Sequence, residues 1–352
     1  MPDPQNHDTT LLSQVEITSQ LPQWDEFLTE HPGHTIYHHP AWGQIMHQAY
    51  GNQPFYLTAR CGGKITGILQ LVEQKSALFG HHLCSLPYFD ASGILAHQEQ
   101  AASAILEKSR QLLQQQNADW IELRHLQPMG QSIPVRTDKI TMQLPLPPDE
   151  ETLWQDFSTK VRNKVRKVQQ ANLQVKEGGL ELLDDFYDVY SLNMRDLGSP
   201  PHSRRFFYLI LEAFPAQIKL FSVYLDGQAV AASFTLTDAK AFRVPWSGTH
   251  WRFKNLNTNM QLYWSMLAYA ARIKAPCFDF GRSTLDSGTH MFKKQWGAKE
   301  VPLYWQFLLA DGQTLPNLTP DSQKFRLIVA CWKKLPISLV RCLGPRLIRK
   351  LS

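Results

Sequence analysis

The hydrophobic and polar positions of the first half of the chain predict helices that alternate with strands. Apolar residues recur at helical spacing over 41–50 and 101–115. Short apolar runs rich in β-branched and aromatic residues predict strands over 55–59, 65–72 and 120–123. The Gly-Gly pair between the first two strands predicts a hairpin turn.

The second half of the chain repeats this plan. Its pattern predicts helices over 181–194 and 259–273 and strands over 219–224, 229–236, 241–246 and 277–280. An Asp-Gly pair lies between the first two of these strands, where it favours a second hairpin. Hairpins flanked by helices in both halves predict an α+β protein with two mixed sheets.

The proline-rich segment 145–148 predicts a junction between two domains. A chain of 352 residues is long enough for two domains of ordinary size. We therefore predict four regions: a polar leader over 1–20, an N-terminal domain over 21–148, a C-terminal domain with the candidate chemistry over 149–310, and a basic amphipathic tail over 311–352.

The composition, 43% hydrophobic and 19% charged, is that of a folded protein. The first ten residues lack the basic and apolar regions of a secretory signal, and no apolar run reaches the roughly 18 residues of a membrane-spanning helix. These features predict a cytoplasmic protein, either free or peripheral to the inner membrane.

The cysteines and histidines do not form metal-binding patterns. There are five cysteines and no C-x-x-C pair, so neither a disulfide framework nor a zinc site is indicated. The adjacent histidines at 38–39 and 81–82 would face opposite sides of a strand. The sequence predicts no metal and no bound cofactor.

The tail is strongly basic. From Lys324 to Ser352 there are eight cations and no acid, interleaved with apolar residues, while the whole chain has a formal net charge of +5. Basic amphipathic helices of this kind bind anionic membrane surfaces. The alternative is a helix that packs on its own domain, and the sequence does not choose between them.

The segment 160–167 is a second basic region. Its valines recur at helical spacing, so one face packs and the rest forms a positive stripe. The stripe consists of Lys160, Arg162, Lys164, Arg166 and Lys167. It is either a solvated helix surface or a contact for a polyanion, such as tRNA phosphates or a nucleotide-diphosphate sugar.

The segment 276–297 is the most informative about function. A short apolar strand breaks at Gly281-Arg282-Ser283 and is expected to continue as a loop. The candidate ligand-binding residues among the small and hydroxyl residues of this segment are Ser283, Ser287, Gly288 and Thr289. Exposed backbone N–H groups beside an arginine suit an anionic or carbonyl ligand, and the alternative is a β-turn with a solvated arginine.

Several motifs occur together in this chain. They are the basic segment 160–167, Asn193-Met194-Arg195-Asp196-Leu197-Gly198-Ser199-Pro200, Arg204-Arg205-Phe206-Phe207, Asp279-Phe280-Gly281-Arg282-Ser283 and Phe292-Lys293-x-x-Trp296. The last resembles the signature of the Fem-type aminoacyl transferases, which add amino acids to peptidoglycan precursors. The set is similar to the FemAB-like subgroup found with exosortase/PEP-CTERM exopolysaccharide systems, and the resemblance extends over most of the chain.

This resemblance implies a fold and a reaction. The fold would be two tandem GNAT-like domains, and the co-substrate an aminoacyl-tRNA. Lys293 would stabilise the carbonyl oxygen or the charge of the transition state, and Phe292 would position it. The acceptor would be a nucleotide- or lipid-linked sugar precursor.

The residues themselves indicate direct attack by the acceptor amine, because no Ser-His-Asp or Cys-His order is present. Arg282 and the small residues after it would bind phosphate or carboxylate. Asp279 would orient Arg282 or relay a proton, or would only cap the strand.

Four further residues are candidates for the substrate cleft. Arg195 and Asp196 would shape the acceptor side, or would simply pair with each other. Trp246 and Tyr263 would line the cleft, although aromatic residues on strands and helices more often belong to the core.

The sequence just before the helix predicted at 259 does not decide which donor the protein uses. Residues 253–259 contain no glycine to wrap a pyrophosphate, which disfavours acyl-CoA, while Asn257 or Thr258 could cap the helix. We predict an acyl- or aminoacyl-transferase acting on a cell-envelope or exopolysaccharide precursor. The alternatives are an acyl-CoA-dependent N-acetyltransferase on an amino sugar, a non-catalytic scaffold and an RNA-binding module.

Overall fold

The computed structural model describes residues 14–76, 80–130, 133–316 and 323–350. The strands are β1 (Gln14–Thr18), β2 (Pro54–Cys61), β3 (Lys64–Ser76), β4 (Gly80–Cys84), β5 (Leu95–Ala96), β6 (Trp120–His125), β7 (Val135–Arg136), β8 (Lys139–Pro145), β9 (Leu173–Gly178), β10 (Ile218–Leu225), β11 (Gln228–Thr237), β12 (Phe242–Thr249), β13 (Cys277–Thr284), β14 (Lys299–Pro302) and β15 (Tyr304–Leu309).

The helices flank these strands. They are α1 (Asp25–Glu30), α2 (Ala41–Tyr50), α3 (Glu99–Gln115), α4 (Glu150–Asp156), α5 (Thr159–Gln169), α6 (Leu183–Leu197), α7 (Arg204–Ala213), α8 (Thr258–Arg272), α9 (Gly288–Lys294), α10 (Gln323–Trp332) and α11 (Ile337–Ile348). Short 3-10 turns cover Ile36–His38, Leu180–Leu182 and Trp251–Leu256.

The strands form two mixed sheets. The first has the order β1-β2-β3-β4-β6-β15-β7, with β5 paired to β3, and the second has the order β14-β8-β13-β12-β11-β10-β9. Each sheet contains an antiparallel hairpin, β2–β3 or β10–β11, at the glycine-containing turn expected from the sequence. Each also contains one parallel pair, β4 with β6 and β12 with β13.

The two sheets exchange strands, which the sequence did not predict. β8 lies within the segment assigned to the N-terminal domain, yet it pairs with β13 and β14 in the second sheet. β15 lies within the segment assigned to the C-terminal domain, yet it pairs with β6 and β7 in the first sheet. The junction at 145–148 therefore does not separate the two sheets.

Three large clusters of buried residues hold the elements together. One lies between the second sheet and the helices α4, α5 and α8, and another between the first sheet and α3. The third joins α2 of the first half to α6 and α7 of the second, with Trp42 and Phe207 fully buried in it. Because this third cluster is shared, the two halves pack directly on each other.

Local structure differs from the sequence prediction at four places. Residues 14–18 of the expected leader form edge strand β1, and residues 1–13 lie outside the described part. The helix expected from 181 begins at Leu183, after a 3-10 turn. The expected loop at Gly281-Arg282-Ser283 is the end of β13, interrupted by a bulge. Asn257 precedes α8 in a left-handed conformation, and its side chain makes no capping hydrogen bond.

The tail packs on the second half. Val340 is fully buried, and Arg341 forms an ion pair of 2.7 Å with Asp188 on α6. The indole N–H of Trp332 donates to the carbonyl of Ser199 at 3.1 Å. The inner face of the tail therefore packs on the protein itself, which was one of the two alternatives. Residues 317–322 and 351–352 lie outside the described part. None of the described helices has both the length and the hydropathy required to cross a bilayer.

Candidate active site

A small cavity lies where the two halves meet, near the end of the parallel pairing between β12 and β13. The pairing ends at Arg243 and Asp279, although both strands continue beyond it. The cavity encloses about 20 Å³, room for about one water molecule. Its polar lining comes from both halves: Thr35, Tyr37, Asp90, Thr141, Arg243 and Asp279.

Asp279 is held by three donors. Its Oδ1 accepts from the hydroxyl of Thr141 at 2.5 Å and from the backbone N–H of Gly281 at 2.8 Å. Its Oδ2 accepts from the side-chain amide of Gln143 at 3.2 Å. The carboxylate therefore fixes β13 to β8, and these bonds match the strand-capping alternative for Asp279. Its other predicted roles, orienting Arg282 and relaying a proton, remain predictions.

The bulge after Asp279 requires a glycine. Gly281 has φ +74°, and a Cβ at this position would meet the carbonyl oxygen of Val244 at 3.1 Å. The bulge turns the carbonyls of Gly281 and Arg282 toward α9, because both accept from a side chain of that helix.

That side chain is Lys293. Its ammonium donates to Gly281 O at 2.8 Å and to Arg282 O at 2.9 Å, and the residue is only 7% exposed. Burial lowers the pKa of Lys293 to about 8, although the carboxylates of Asp279 and Asp90 oppose this. At neutral pH it remains mostly charged, with one of its three N–H donors not used by these two bonds.

Arg282 and Asp90 form the outer part of the site. Arg282 Nη1 lies 3.5 Å from Asp90 Oδ1, and its guanidinium lies 5.1 Å from the ring centre of Trp305. The side chains are 37% and 22% exposed, so this pair reaches solvent. Burial raises the pKa of Asp90, and Arg282 opposes the rise.

The opposite wall of the cavity is a charged pair that belongs to the fold. Arg243 donates to Asp238 Oδ1 at 2.8 Å and lies over the ring of Tyr37. Asp238 also accepts from the backbone N–H of Ile36, so the pair ties the second sheet to the first half.

The sequence did not identify Asp90, Thr141, Gln143 and Trp305 as parts of this site. Asp90 is the only acid in the otherwise apolar and small-residue run 83–95, and this isolation was the available signal. Tyr88, two residues earlier, has φ +73°, an uncommon conformation for a bulky residue. Strained backbone of this kind concentrates at functional sites.

The small residues after Ser283 form the start of α9, and their predicted role in ligand binding stays a prediction. The side chain of Ser287 accepts from the backbone N–H of His290 and caps α9. Gly288 and Thr289 form the first turn of that helix. Ser283 is buried, and its hydroxyl has no hydrogen-bond partner among the described residues. The first turn of α9 thus orients the helix that carries Phe292 and Lys293.

Of the remaining candidates, the aromatic residues lie nearer the site than the charged pair. Tyr263 is buried, stacks on Phe280 and contacts the ring of Phe292, so it positions α9 from inside the core. Trp246 is half-buried and lies 5.4 Å from Phe89, the neighbour of Asp90. Arg195 and Asp196 pair with each other at the end of α6, at 2.8 Å.

The basic stripe lies on α5, which packs against α8. Val161, Val165 and Val168 are buried, as the helical spacing predicted. Lys160, Arg166 and Lys167 are exposed, while Arg162 and Lys164 are half-buried. Lys164 donates to the side chain of Gln295 at 2.7 Å, directly after α9, so the stripe is adjacent to the helix that carries Lys293.

The arrangement can therefore hold a polarised carbonyl and accept a proton. A buried ammonium and an arginine supply positive charge, and a carboxylate with a raised pKa lies beside them. Within the described ranges, no group of three or more histidine, cysteine or acidic residues could hold a metal ion.

Comparison with known proteins supports this description of the fold. Residues 155–294 match the family model described as "Acetyltransferase (GNAT) domain", which covers α5 to α9. The chain has a tandem GNAT fold. The α+β class and the two GNAT-like units predicted from the sequence are thereby confirmed. No curated protein matches the chain by sequence.

Solved structures share this fold at low sequence identity. FemX superposes with a TM-score of 0.64 and 14% identity over 83% of this chain and 97% of its own. L-PGS from Bacillus licheniformis gives 0.55 and 10% over 90% and 98%. A tandem GNAT protein from the clavulanic acid biosynthesis pathway, solved without AcCoA, gives 0.53 and 9% over 86% and 100%.

Proposed function

We propose that this protein transfers an acyl or aminoacyl group to an amine of a cell-envelope or exopolysaccharide precursor. The observation that carries the proposal is the buried ammonium of Lys293, whose pKa is lowered to about 8, beside the Asp90–Arg282 pair. Neighbouring titratable groups of opposite charge with shifted pKa values are typical of active sites. The matched acetyltransferase family and the Fem-like motifs support the reaction class.

The reaction would proceed by direct attack. The acceptor nitrogen forms a bond to the donor carbonyl carbon, and the bond from that carbon to its carrier oxygen or sulfur breaks. Asp90 takes the proton that the nitrogen loses, and the departing carrier atom takes up a proton in turn. Lys293 and Arg282 stabilise the negative charge that develops on the carbonyl oxygen. No covalent enzyme intermediate is required.

The donor would be acyl-CoA or aminoacyl-tRNA, both of which carry phosphates. The exposed cations Arg252 and Lys254 precede α8, and the basic stripe of α5 lies beside that helix. The acetyltransferase family supports acyl-CoA, while the Fem-type resemblance supports aminoacyl-tRNA. The absence of glycine over 253–259 makes a tightly wrapped pyrophosphate less favourable.

The acceptor would be a nucleotide- or lipid-linked sugar precursor. The motif set similar to the exosortase/PEP-CTERM-associated subgroup favours an exopolysaccharide precursor. A cytoplasmic site of action, as expected from the sequence, belongs to the same proposal.

The test is a transfer assay with matched variants. The purified protein is incubated with labelled acetyl-CoA or with aminoacyl-tRNA, together with amino-sugar nucleotides as acceptors. We expect transfer from one of these donors, and Lys293→Ala should lower the rate by about 10²–10³-fold. Lys294→Ala is the control, because this neighbour is exposed and its ammonium lies 3.6 Å from the carboxylate of Glu300 on the protein surface. Equal rates for the Lys293 and Lys294 variants would contradict the proposal.

One observation favours a non-catalytic scaffold as the second candidate. The cavity holds about one water molecule, and Lys293 already satisfies two backbone carbonyls. A scaffold predicts that Lys293→Ala and Arg282→Ala leave the cellular role intact. Complementation of a deletion strain by these variants distinguishes the two candidates.

A further inference from the structure

The outer face of the tail is apolar where a surface helix would normally be polar. Leu339, Leu343 and Leu347 recur at i, i+4 and i+8 on α11 and are 46%, 39% and 45% exposed. The adjacent face of α11, which carries Val340 and Gly344, packs on the protein. The apolar surface of the helix is therefore wider than the part that the protein covers.

Neighbouring elements extend this apolar surface. Leu327 and Ile328 on α10 are 66% and 63% exposed. Leu197, at the end of α6, is also exposed, and the next residue, Gly198, packs against Val329 of α10. We call Leu197, Leu327, Ile328, Leu339, Leu343 and Leu347 the tail face. Large apolar side chains exposed on several neighbouring elements favour a binding surface.

The exposed charges of the tail from Lys324 onward are all positive. Lys333, Lys334, Arg346, Arg349 and Lys350 are exposed. No acid occurs from Lys324 to the end of the sequence, and the acid of α6 that faces the tail, Asp188, is already paired with Arg341. A surface with leucines in its centre and cations at its margin matches the interface of an anionic bilayer.

We propose that the tail face docks the protein on an anionic lipid surface. The leucines enter the boundary between headgroups and acyl chains, and the cations contact the lipid phosphates. Contact is peripheral, because no described helix is long and apolar enough to span. The proposal does not depend on which reaction the site performs.

A second copy of the chain is a less suitable partner for this face. A two-fold interface places the same patch on both subunits, so the five exposed cations of one copy would meet those of the other. Like charges without intervening acids oppose such an interface. An anionic membrane supplies the missing negative charge.

The end of α11 contacts the segment that carries Asp90. The hydroxyl of Tyr88 donates to the carbonyl of Ile348 at the end of α11, at 3.0 Å. Tyr88 belongs to the segment between β4 and β5 that also carries Asp90. Docking through the tail face would therefore bring the site close to the membrane surface, where a lipid-linked acceptor resides.

Vesicle co-sedimentation of the full chain tests the proposal. We expect binding to phosphatidylcholine vesicles with about 30 mol% phosphatidylglycerol and weak binding to phosphatidylcholine alone, with the difference reduced by salt. Leu339→Glu with Leu343→Glu should lower the partition coefficient at least about tenfold. Arg346→Gln with Lys350→Gln should lower it about fivefold for each cation.

The matched control is Leu180→Glu, because Leu180 is 51% exposed and lies outside the tail face. It should bind like the unmodified protein, and circular dichroism should show that all variants remain folded. Absence of binding to anionic vesicles, or equal loss in the Leu180 variant, would overturn the proposal. So would concentration-dependent dimerisation that Leu343→Glu abolishes, because the occupant would then be a second copy.

Discussion

The two parallel strand pairs occupy equivalent positions in the two sheets, but the charged residues beside them differ in burial and in the length of their ion pairs. Beside β4 and β6, Arg124 donates to Glu122 at 2.7 Å and to the carbonyls of Leu86 and Phe89 at 3.2 and 2.7 Å. Both charged side chains are 1% exposed. Beside β12 and β13, the Arg282–Asp90 pair is longer, at 3.5 Å, and reaches solvent.

This difference separates a structural position from a reactive one. In the first sheet the Arg124–Glu122 pair is short and buried, and the guanidinium of Arg124 lies 4.3 Å from the ring centre of Trp305. Beside the second sheet, burial lowers the pKa of Lys293 on α9 and raises the pKa of Asp90, which lies between β4 and β5. Charges that are close to one another but incompletely neutralised are available to a substrate, and for this reason we propose the chemistry at this position.

The largest expected effect is on stability, in the first sheet. Arg124→Leu leaves Glu122 buried without its partner and should lower the free energy of unfolding by about 3–5 kcal/mol. Urea denaturation measures this. Arg110→Leu is the control, since its pair with Glu107 is exposed and should change stability by less than about 1 kcal/mol. A similarly small change in stability in both variants would contradict a structural role for the Arg124–Glu122 pair.

The equivalent change in the second sheet should affect activity instead. Arg282→Leu removes a partly exposed ion pair, so we expect a stability change of less than about 1 kcal/mol. The rate of acyl transfer should fall about 10²-fold, because charge stabilisation at the carbonyl oxygen is lost. Unfolding and rate measurements on the same variant check the two expectations. A large loss of stability with normal specific activity would show that Arg282 has a structural role instead of a catalytic one.

The pH dependence of transfer should be bell-shaped. Activity should be lost as the pH falls through the raised pKa of Asp90, because the proton acceptor becomes neutral. It should also be lost as the pH rises through about 8, where Lys293 loses its charge, by about tenfold for each further pH unit.

Variants assign the two limbs of the profile. Lys293→Arg should move the alkaline limb to higher pH, because arginine stays protonated. Asp90→Asn should lower the rate and flatten the acid limb. A profile that both variants leave unchanged would mean that other groups titrate.

The smallest effect concerns the bulge. Gly281→Ala should cost about 1–2 kcal/mol of stability, because a left-handed φ is combined with a contact of 3.1 Å to Val244 O. Gly227→Ala has a similar φ of +79° but open space around it, so it isolates the backbone contribution. Calorimetric unfolding measures the loss of stability in each variant. The loss should be larger for Gly281→Ala than for Gly227→Ala.

The sequence predicted the local elements well, since periodicity alone defines the hairpins and amphipathic helices such as α2 and α5. It also indicated Lys293, because the motif around this residue is contiguous in the chain. It did not predict Asp90, Thr141 or Trp305, which reach the site only through tertiary packing. Its assignment of Ser287 and Thr289 to ligand binding stays a prediction, and the structure adds that the Ser287 side chain caps α9.

The exchange of β8 and β15 between the sheets has a consequence for synthesis on the ribosome. The first sheet lacks one of the two neighbours of β6 until residues 304–309 have been translated, and β8 must wait for β13 before its own sheet can form. Neither sheet is complete until these strands have been synthesised, so both sheets are expected to finish folding only after residue 309 has left the exit tunnel.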